Sequence, residues 1–172
     1  MTVCAQCGFA YDSITARNAA DQLESAGATL SATIASAGRR GDNRADGWSV
    51  LEYGGHVRDV LITQRERLLR ARVDPGAQVV PMLTEQRVEW GEYQGLDPIN
   101  LALELHWSAA RLARSLRLLS YYDWDLELIY NYPTPQPRDL RWLAAHTVHE
   151  VHHHYRDIKS LLAAPPRPPQ ST

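Results

Sequence analysis

Five of the chain's seven histidines lie in one stretch, Ala144-Ala-His-Thr-Val-His-Glu-Val-His-His-His-Tyr-Arg-Asp-Ile158. An α-helix turns roughly 100° per residue, so these neighbouring histidines cannot all reach one metal ion. Apolar side chains at helical spacing mark the buried face, and they are Val148, Val151, Tyr155, Ile158 and Leu162. The stretch therefore predicts an amphipathic helix with only some of its histidines directed inward.

Glu150 and His154 lie at the edge of that apolar face, at about 100° and 60° from Val151. They form an i, i+4 pair, so their side chains meet on one side of the helix. His149 and His153 come out about 160° from Val151, and we expect them to face water. The inward pair is therefore Glu150 with His154.

The same residues also spell H-E-x-x-H from His149 to His153, the helix motif of zinc proteases. That motif uses both histidines as ligands and the glutamate as the base, with a further ligand downstream. Here both histidines are expected on the solvent face, and no glutamate follows Glu150 in the sequence. A protease-type metallohydrolase is therefore the least favoured interpretation.

Composition indicates one globular domain without signals for nucleic acid or membrane. The 172 residues include 18 basic and 20 acidic ones, and a net charge of −2 argues against nucleic acid as a partner. No apolar run approaches the roughly 20 residues of a membrane span, and no signal peptide is recognised. Two cysteines are too few for a disulfide framework. We predict a cytoplasmic protein.

Three segments are predicted, beginning with residues 1–12, which carry Cys4-Ala-Gln-Cys7. A C-x-x-C turn can bind a metal or form a redox dithiol, and it can equally be a pair of reduced thiols on a loosely packed terminus. A structural metal site needs four ligands, so the other two would be His, Asp or residues of another subunit. Residues 13–163 form the bundle, and residues 164–172 form a Pro-rich flexible tail.

Four amphipathic helices and no convincing strand pattern predict an all-α fold, a four-helix bundle with a long crossover connection. The first helix is expected over residues 13–38. The second begins with the capping box Ser49-Val-Leu-Glu52 and reaches about residue 72, and the third opens at Asp97-Pro98. The fourth is expected from about residue 139 to 163.

His56 lies on the second predicted helix, at the border of its apolar face. Bundle cores bind metals between facing helices, so His56 can meet Glu150 and His154 there. Two nitrogens and one carboxylate oxygen are the ligands of a catalytic zinc site, with a fourth position left for water or substrate. In the alternative without metal, Glu150 pairs with an arginine, and His154 pairs with a backbone carbonyl or a carboxylate.

The segments Trp48-Ser-Val-Leu-Glu-Tyr-Gly-Gly-His56-Val-Arg-Asp-Val-Leu61 and His149-Glu-Val-His-His-His154-Tyr-Arg-Asp-Ile158 resemble the DinB/YfiT-like superfamily. They are most similar to the actinobacterial branch that contains the metal-binding domain of mycothiol-dependent maleylpyruvate isomerase. The resemblance covers residues 13–163 and implies a bundle that holds zinc or nickel with His56, Glu150 and His154. It also implies that Arg58 or Asp59 tunes the site from beside His56.

For activity, the resemblance implies that the metal activates a low-molecular-weight thiol such as mycothiol, for transfer to an electrophile or for isomerisation. A homodimer is also common among such bundles. We therefore weigh a metal-dependent thiol S-transferase or isomerase against a non-catalytic, metal-stabilised bundle or interaction module. An exchangeable metal ligand favours the enzyme, whereas an ion closed off by Cys4 or Cys7 favours the second hypothesis.

Overall fold

The computed structural model describes residues 3–42, 47–131 and 134–163, so the predicted tail at 164–172 lies outside the described residues. The helices are α1 (Ala19–Ala35), α2 (Val50–Val73), the short α3 (Thr84–Glu89), α4 (Pro98–Arg117) and α5 (Leu140–Ala163). The four long ones confirm the predicted bundle. Within the described ranges, no helix is long and apolar enough to cross a membrane.

The order of the helices around the bundle differs from their order in the chain. Helix α1 packs mainly against α4 and α5, and α2 packs against the same two helices. Consecutive helices α1 and α2 therefore lie on one diagonal, and α4 and α5 lie on the other. The connection between α4 and α5 crosses the bundle diagonally, and α2 is placed directly beside α5.

The helix starts that were read from capping residues agree with the structure. The Ser49 hydroxyl accepts from the Glu52 amide at 3.2 Å, and the Glu52 carboxylate accepts from the Ser49 amide at 2.6 Å. Asp97 caps α4 by accepting from the Asn100 amide. The first helix is shorter than predicted, because the Asn18 side chain bonds the backbone of residues 13 and 15 and holds them in turns.

The connection between α4 and α5 contains two short strands, although the sequence has no convincing strand pattern there. Strands β1 (Glu127–Tyr130) and β2 (Gln136–Asp139) form an antiparallel pair. Each has only four residues, too few to display a period-two pattern, and Pro137 weakens the second. The connection after α2 runs beside strand β1 and bonds to it. The Val79 amide donates to the Ile129 carbonyl at 3.0 Å. The hairpin thereby places Tyr130 beside α2 and α5.

Helix α1 approaches α4 closely at Gly27. A Cβ at this position would lie 2.5 Å from the Cβ of Ala109. Glycine is unfavourable inside a helix by roughly 0.5–1 kcal/mol relative to alanine, so close packing explains its presence there. Leucine side chains fill the core on both sides of this contact, among them Leu23, Leu30, Leu105 and Leu112.

Candidate metal centre

The bundle brings the three predicted metal ligands together across the α2–α5 interface. His56 comes from α2, and Glu150 and His154 come from successive turns of α5. One ligand atom of each lies within 4.8 Å of the other two. Glu150 Oε2 is 3.9 Å from His56 Nε2 and 3.7 Å from His154 Nε2. The structure thus shows that the three side chains lie close together. Metal binding by these residues stays a prediction.

His56 provides the test of whether a cation fits this group. The residue is only 6% exposed, and its Nδ1 has no hydrogen-bond partner in the part of the chain that the structure describes. The contact from Nε2 to Glu150, at 3.9 Å, is too long for a hydrogen bond. A cation between the three side chains would bind Nε2, which lies on the side of Glu150, whereas the buried Nδ1 keeps no partner among the described residues. Two imidazoles and a carboxylate also suit a zinc-type ion.

Asp157 holds His154 in an orientation suited to a ligand. The carboxylate Oδ2 lies 3.0 Å from His154 Nδ1, so Nε2 is directed toward Glu150. Burial lowers the pKa of His154, but the contacts with Asp157 and Glu150 outweigh it and raise the pKa to about 9. A carboxylate behind a ligating histidine fixes its tautomer and its basicity. The sequence analysis missed Asp157, although its i+3 spacing from His154 was a usable signal.

The side chains of Asp59 and Arg58 form hydrogen bonds with residues other than the three predicted ligands. Asp59 Oδ2 accepts from the Tyr93 hydroxyl at 2.9 Å and from Arg87 at 3.0 Å, and Oδ1 accepts from Arg58 at 2.9 Å. Burial lowers the pKa of His56, and the charge of Asp59 opposes this shift. These hydrogen bonds tie Asp59 to Tyr93, Arg87 and Arg58, and tuning of the site by Asp59 or Arg58 stays a prediction.

The expectation that His149 and His153 face water was wrong for His149. That residue is only 9% exposed, and the Phe9 and Tyr11 rings lie 5.5 and 5.2 Å from its own ring. The N-terminal segment folds over the side of α5 that faces away from the bundle core. His153 is half-buried at the same place. A helical wheel locates the core, but it cannot show a segment that packs from outside.

The N-terminal segment is a small hairpin, and the two cysteines lie in its turn. The Cys4 amide donates to the Phe9 carbonyl at 2.9 Å, and the Gly8 amide donates to the Cys4 carbonyl at 2.8 Å. Gly8 adopts a φ of +74°, which favours glycine. The hydrogen bond from the Cys7 amide is the largest influence on Cys4 and lowers its pKa to about 6. The structure thus has an ordered hairpin where a loosely packed terminus was one alternative.

Both cysteines are free thiols, and they lie beside α5 rather than beside His56. Ligand atoms of Cys4, Cys7, His149 and His153 lie within 4.8 Å of one another. We call these four residues the cysteine group, and His56, Glu150 and His154 the carboxylate group. Two overlapping sets of three also satisfy the same spacing, namely His146 with His149 and Glu150, and His153 with His154 and Asp157.

A cavity of about 610 Å³ opens beside the carboxylate group. Arg67 lies in its wall, and its guanidinium donates to the Tyr130 hydroxyl at 2.8 Å and to the Val80 carbonyl at 2.8 Å. Tyr11 lies 3.1 Å from Nδ1 of His146, and both residues line the cavity. The sequence analysis missed Arg67, Tyr11 and His146, because they come from three segments that only the fold brings together.

Fold and side chains together define a class, a diagonal four-helix bundle with a carboxylate–histidine group at one helix interface. The family model described as the DinB superfamily matches residues 14–158, and the chain belongs to that superfamily. No curated protein matches the chain. The finer resemblance to the mycothiol-dependent isomerase branch stays a prediction.

Among solved structures, the chain is similar to YfiT from Bacillus subtilis, which is described as a probable metal-dependent hydrolase with an unusual four-helix bundle topology. The TM-score is 0.77, the sequence identity is 19%, and the match covers 85% of each chain. At this identity, the likeness concerns the fold.

Proposed function

We propose that this chain is a metal-dependent enzyme that uses a low-molecular-weight thiol, mycothiol by resemblance, for S-transfer to an electrophile or for isomerisation. One observation carries the proposal. The carboxylate group borders the cavity, and the ligand atoms of Cys4 and Cys7 group with His149 and His153, not with His56, Glu150 and His154. Neither cysteine therefore closes the carboxylate group, and three ligands leave a position for an exogenous molecule. This arrangement favours the enzyme over the non-catalytic bundle.

A zinc- or nickel-type cation bound here would lower the pKa of a thiol or water beside it. The chain contributes the charge and geometry for such a cation. Burial raises the pKa of Glu150, but its contacts with His149, His154 and His56 outweigh burial and hold that pKa well below its usual range. Glu150 therefore stays ionised at neutral pH, as a ligand must, and Asp157 keeps His154 Nε2 directed toward it.

The cavity wall supports a substrate with an anionic end. Arg67 is buried, with an exposure of 8%, and its position is fixed by Tyr130, Gln64 and the backbone. A buried guanidinium is a strong partner for a carboxylate or phosphate. Apolar side chains cover other parts of the wall and limit water around a thiolate, namely Val60, Val79, Pro81 and Met82. The proposed substrate pair is thus a small thiol and an electrophile, of which one carries a negative charge.

Hydrolysis is the second candidate. The position that would accept a thiol equally accepts water, and YfiT is described as a probable metal-dependent hydrolase. The two candidates differ in one requirement, because a hydrolase acts without an added thiol.

The test is an assay of metal-free protein reloaded with zinc or nickel. Mycothiol and chlorodinitrobenzene measure thiol transfer, and a nitrophenyl ester without thiol measures hydrolysis. We expect metal-dependent thiol transfer that His154→Ala abolishes together with metal binding. His152→Ala, an exposed histidine of the same helix, is the matched control and should retain both. Metal-loaded protein that transfers mycothiol no faster than buffer would contradict the proposal. Ester hydrolysis alone would support the second candidate, and bound metal with neither activity would support the non-catalytic bundle.

A further inference from the structure

The cysteine group has the composition of a structural zinc site. Cys4 and Cys7 come from the N-terminal hairpin, and His149 and His153 come from successive turns of α5. We propose that these four residues bind a second metal ion, a tetrahedral zinc, that fastens the hairpin to α5. The proposal is independent of the function proposed for the carboxylate group, since it concerns different ligands and a different role.

The distances suit such an ion. Cys4 Sγ lies 3.9 Å from His153 Nδ1, and all four ligand atoms lie within 4.8 Å of one another. In a tetrahedral zinc site, sulfur and nitrogen ligands are roughly 3.5 Å apart, given bonds of about 2.3 Å to sulfur and 2.0–2.1 Å to nitrogen. Small side-chain movements therefore bring the four atoms to bonding distance.

His149 gives an independent sign that a partner belongs at this place. Both of its ring nitrogens are buried, and neither has a hydrogen-bond partner among the described residues. Nδ1 lies 3.2 Å from a Glu150 oxygen, although the contact is not aligned as a hydrogen bond. Nε2 is then the nitrogen left for the cysteine side. Buried polar atoms without a partner are rare in proteins, and ligation of Nε2 to zinc supplies one.

The hairpin presents both thiols in the way that a metal requires. A C-x-x-C turn followed by glycine carries Cys4 and Cys7 on the same side, and Gly8 takes the left-handed conformation that tightens the turn. Two thiolates neutralise a divalent cation, so the closed site has no net charge in its half-buried position. Paired thiolates with two imidazoles favour zinc over the hard cations magnesium and calcium.

The proposed zinc has a structural role, because few other contacts hold the hairpin against α5. None of residues 3–13 is fully buried, so the hairpin has no core of its own. Phe9 packs against His149 and His152, and Arg156 donates to the Gln6 carbonyl at 3.3 Å on the exposed side. Small segments without a core are commonly held by a disulfide or a metal. Here two ligands from each side would tie the hairpin to the helix.

This assignment explains the H-E-x-x-H pattern without protease chemistry. The two histidines of the pattern bind the hairpin's ion, and Glu150 also turns an oxygen toward His56 and His154. It also assigns the hairpin a place beside the cavity, because Cys4, Gln6 and Tyr11 line that space. Zinc in the cysteine group would hold this part of the wall in position.

The test is metal counting by mass spectrometry on full-length protein reconstituted with zinc, together with the absorption spectrum of the cobalt form. The variants are Cys4→Ser/Cys7→Ser, His56→Ala and, as matched control, His106→Ala, an exposed histidine of α4. We expect the double cysteine variant to bind one equivalent less than wild type and to lose the sulfur-to-cobalt charge-transfer band. His56→Ala should keep that band, and His106→Ala should match wild type in both measurements.

A second measurement on the wild type avoids variants that fold poorly. Titration of the two thiols with an organomercurial should release one equivalent of zinc, detected with a chromophoric chelator. The proposal is overturned if the double cysteine variant binds as much metal as wild type, if the cobalt form lacks the band, or if reconstituted protein holds Cys4 and Cys7 as a disulfide. Loss of metal in His56→Ala alone, with the cysteine variant unaffected, would leave only the carboxylate group.

Discussion

Glu150 Oε1 lies 3.2 Å from Nδ1 of His149, the residue immediately before it in the chain. The other oxygen, Oε2, faces His154 Nε2 at 3.7 Å. One carboxylate therefore touches a member of the cysteine group and belongs itself to the carboxylate group. We therefore expect an ion at one group to act on the other through this side chain.

Glu150→Gln tests that link, because it keeps the shape of the side chain and removes its charge. We expect metal affinity at the carboxylate group to fall by more than about 100-fold, since even partners behind a ligand account for about 10–100-fold. The cysteine group, where Glu150 stands behind His149, should weaken by about 10–100-fold at most. Competition with chromophoric chelators measures both affinities. Glu66→Gln, an exposed site on α2, is the control, and an unchanged affinity at the cysteine group would contradict the link.

Asp157→Asn tests the residue that holds His154. The amide can still contact Nδ1, at 3.0 Å in the wild type, but it no longer carries the charge that raises the basicity of the ring. Metal affinity at the carboxylate group should fall by about 10–100-fold without loss of the fold. Asp21→Asn, which alters an exposed acid on α1, should leave the affinity unchanged. An unchanged affinity in Asp157→Asn would show that Asp157 does not support the ligand.

The contrast between Asp157 and Cys4 shows what the sequence could predict. Helical spacing alone predicted that Glu150 and His154 share a face, and the same rule reaches Asp157. Capping residues predicted the starts of α2 and α4, because a cap depends on three or four adjacent residues. In each of these cases, the geometry of a few neighbouring residues was enough for the prediction.

Cys4 and His153 are 149 positions apart, and no local rule joins them. Helical periodicity predicts that the face of α5 opposite the core is exposed to solvent, because periodicity describes one helix against one core. The N-terminal hairpin then covered that face and buried His149. The β1–β2 hairpin was missed for a related reason, since its short strands are defined by their pairing with each other.

Metal binding to the carboxylate group should depend on pH through His154. Its pKa in the metal-free protein is raised from 6.5 to about 9, so the ring is protonated at neutral pH and must lose its proton to bind a metal. Affinity should rise about tenfold per pH unit up to about pH 9 and then level off. For the metal-free fold the sign is opposite. The stabilisation from protonated His154 is complete below about pH 6.5 and is lost as the pH rises through about 9.

Calorimetry in two buffers with different ionisation enthalpies measures the protons released when metal binds. About one proton per metal is expected at neutral pH when Cys4→Ser/Cys7→Ser leaves only the carboxylate group to bind, and fewer are expected above pH 9. Asp157→Asn should release less, because Asp157 is a main cause of the raised pKa. If the number of protons released on metal binding does not change with pH across this range, His154 is not the group that loses the proton.

Packing between α1 and α4 gives a prediction that does not depend on any metal. Gly27→Ala would place a Cβ 2.5 Å from the Cβ of Ala109, and neither atom can rotate away. Overpacking costs about 1–3 kcal/mol, and the better helix propensity of alanine returns about 0.8–1.0 kcal/mol. The variant should therefore lower the free energy of unfolding by about 1 kcal/mol, measured by urea denaturation of metal-free protein.

The matched rescue exchanges the two side chains. Gly27→Ala/Ala109→Gly restores one methyl group to the contact, so the double variant should be more stable than the sum of the two single changes predicts. Ala28→Ser, at the exposed neighbouring position of α1, should change the free energy of unfolding by less than about 0.5 kcal/mol. If Gly27→Ala is as stable as wild type, or if the two changes simply add, the helices are not held at this distance by the glycine. A positive coupling would show that this glycine, unfavourable by helix propensity, is required by the close approach of α1 to α4.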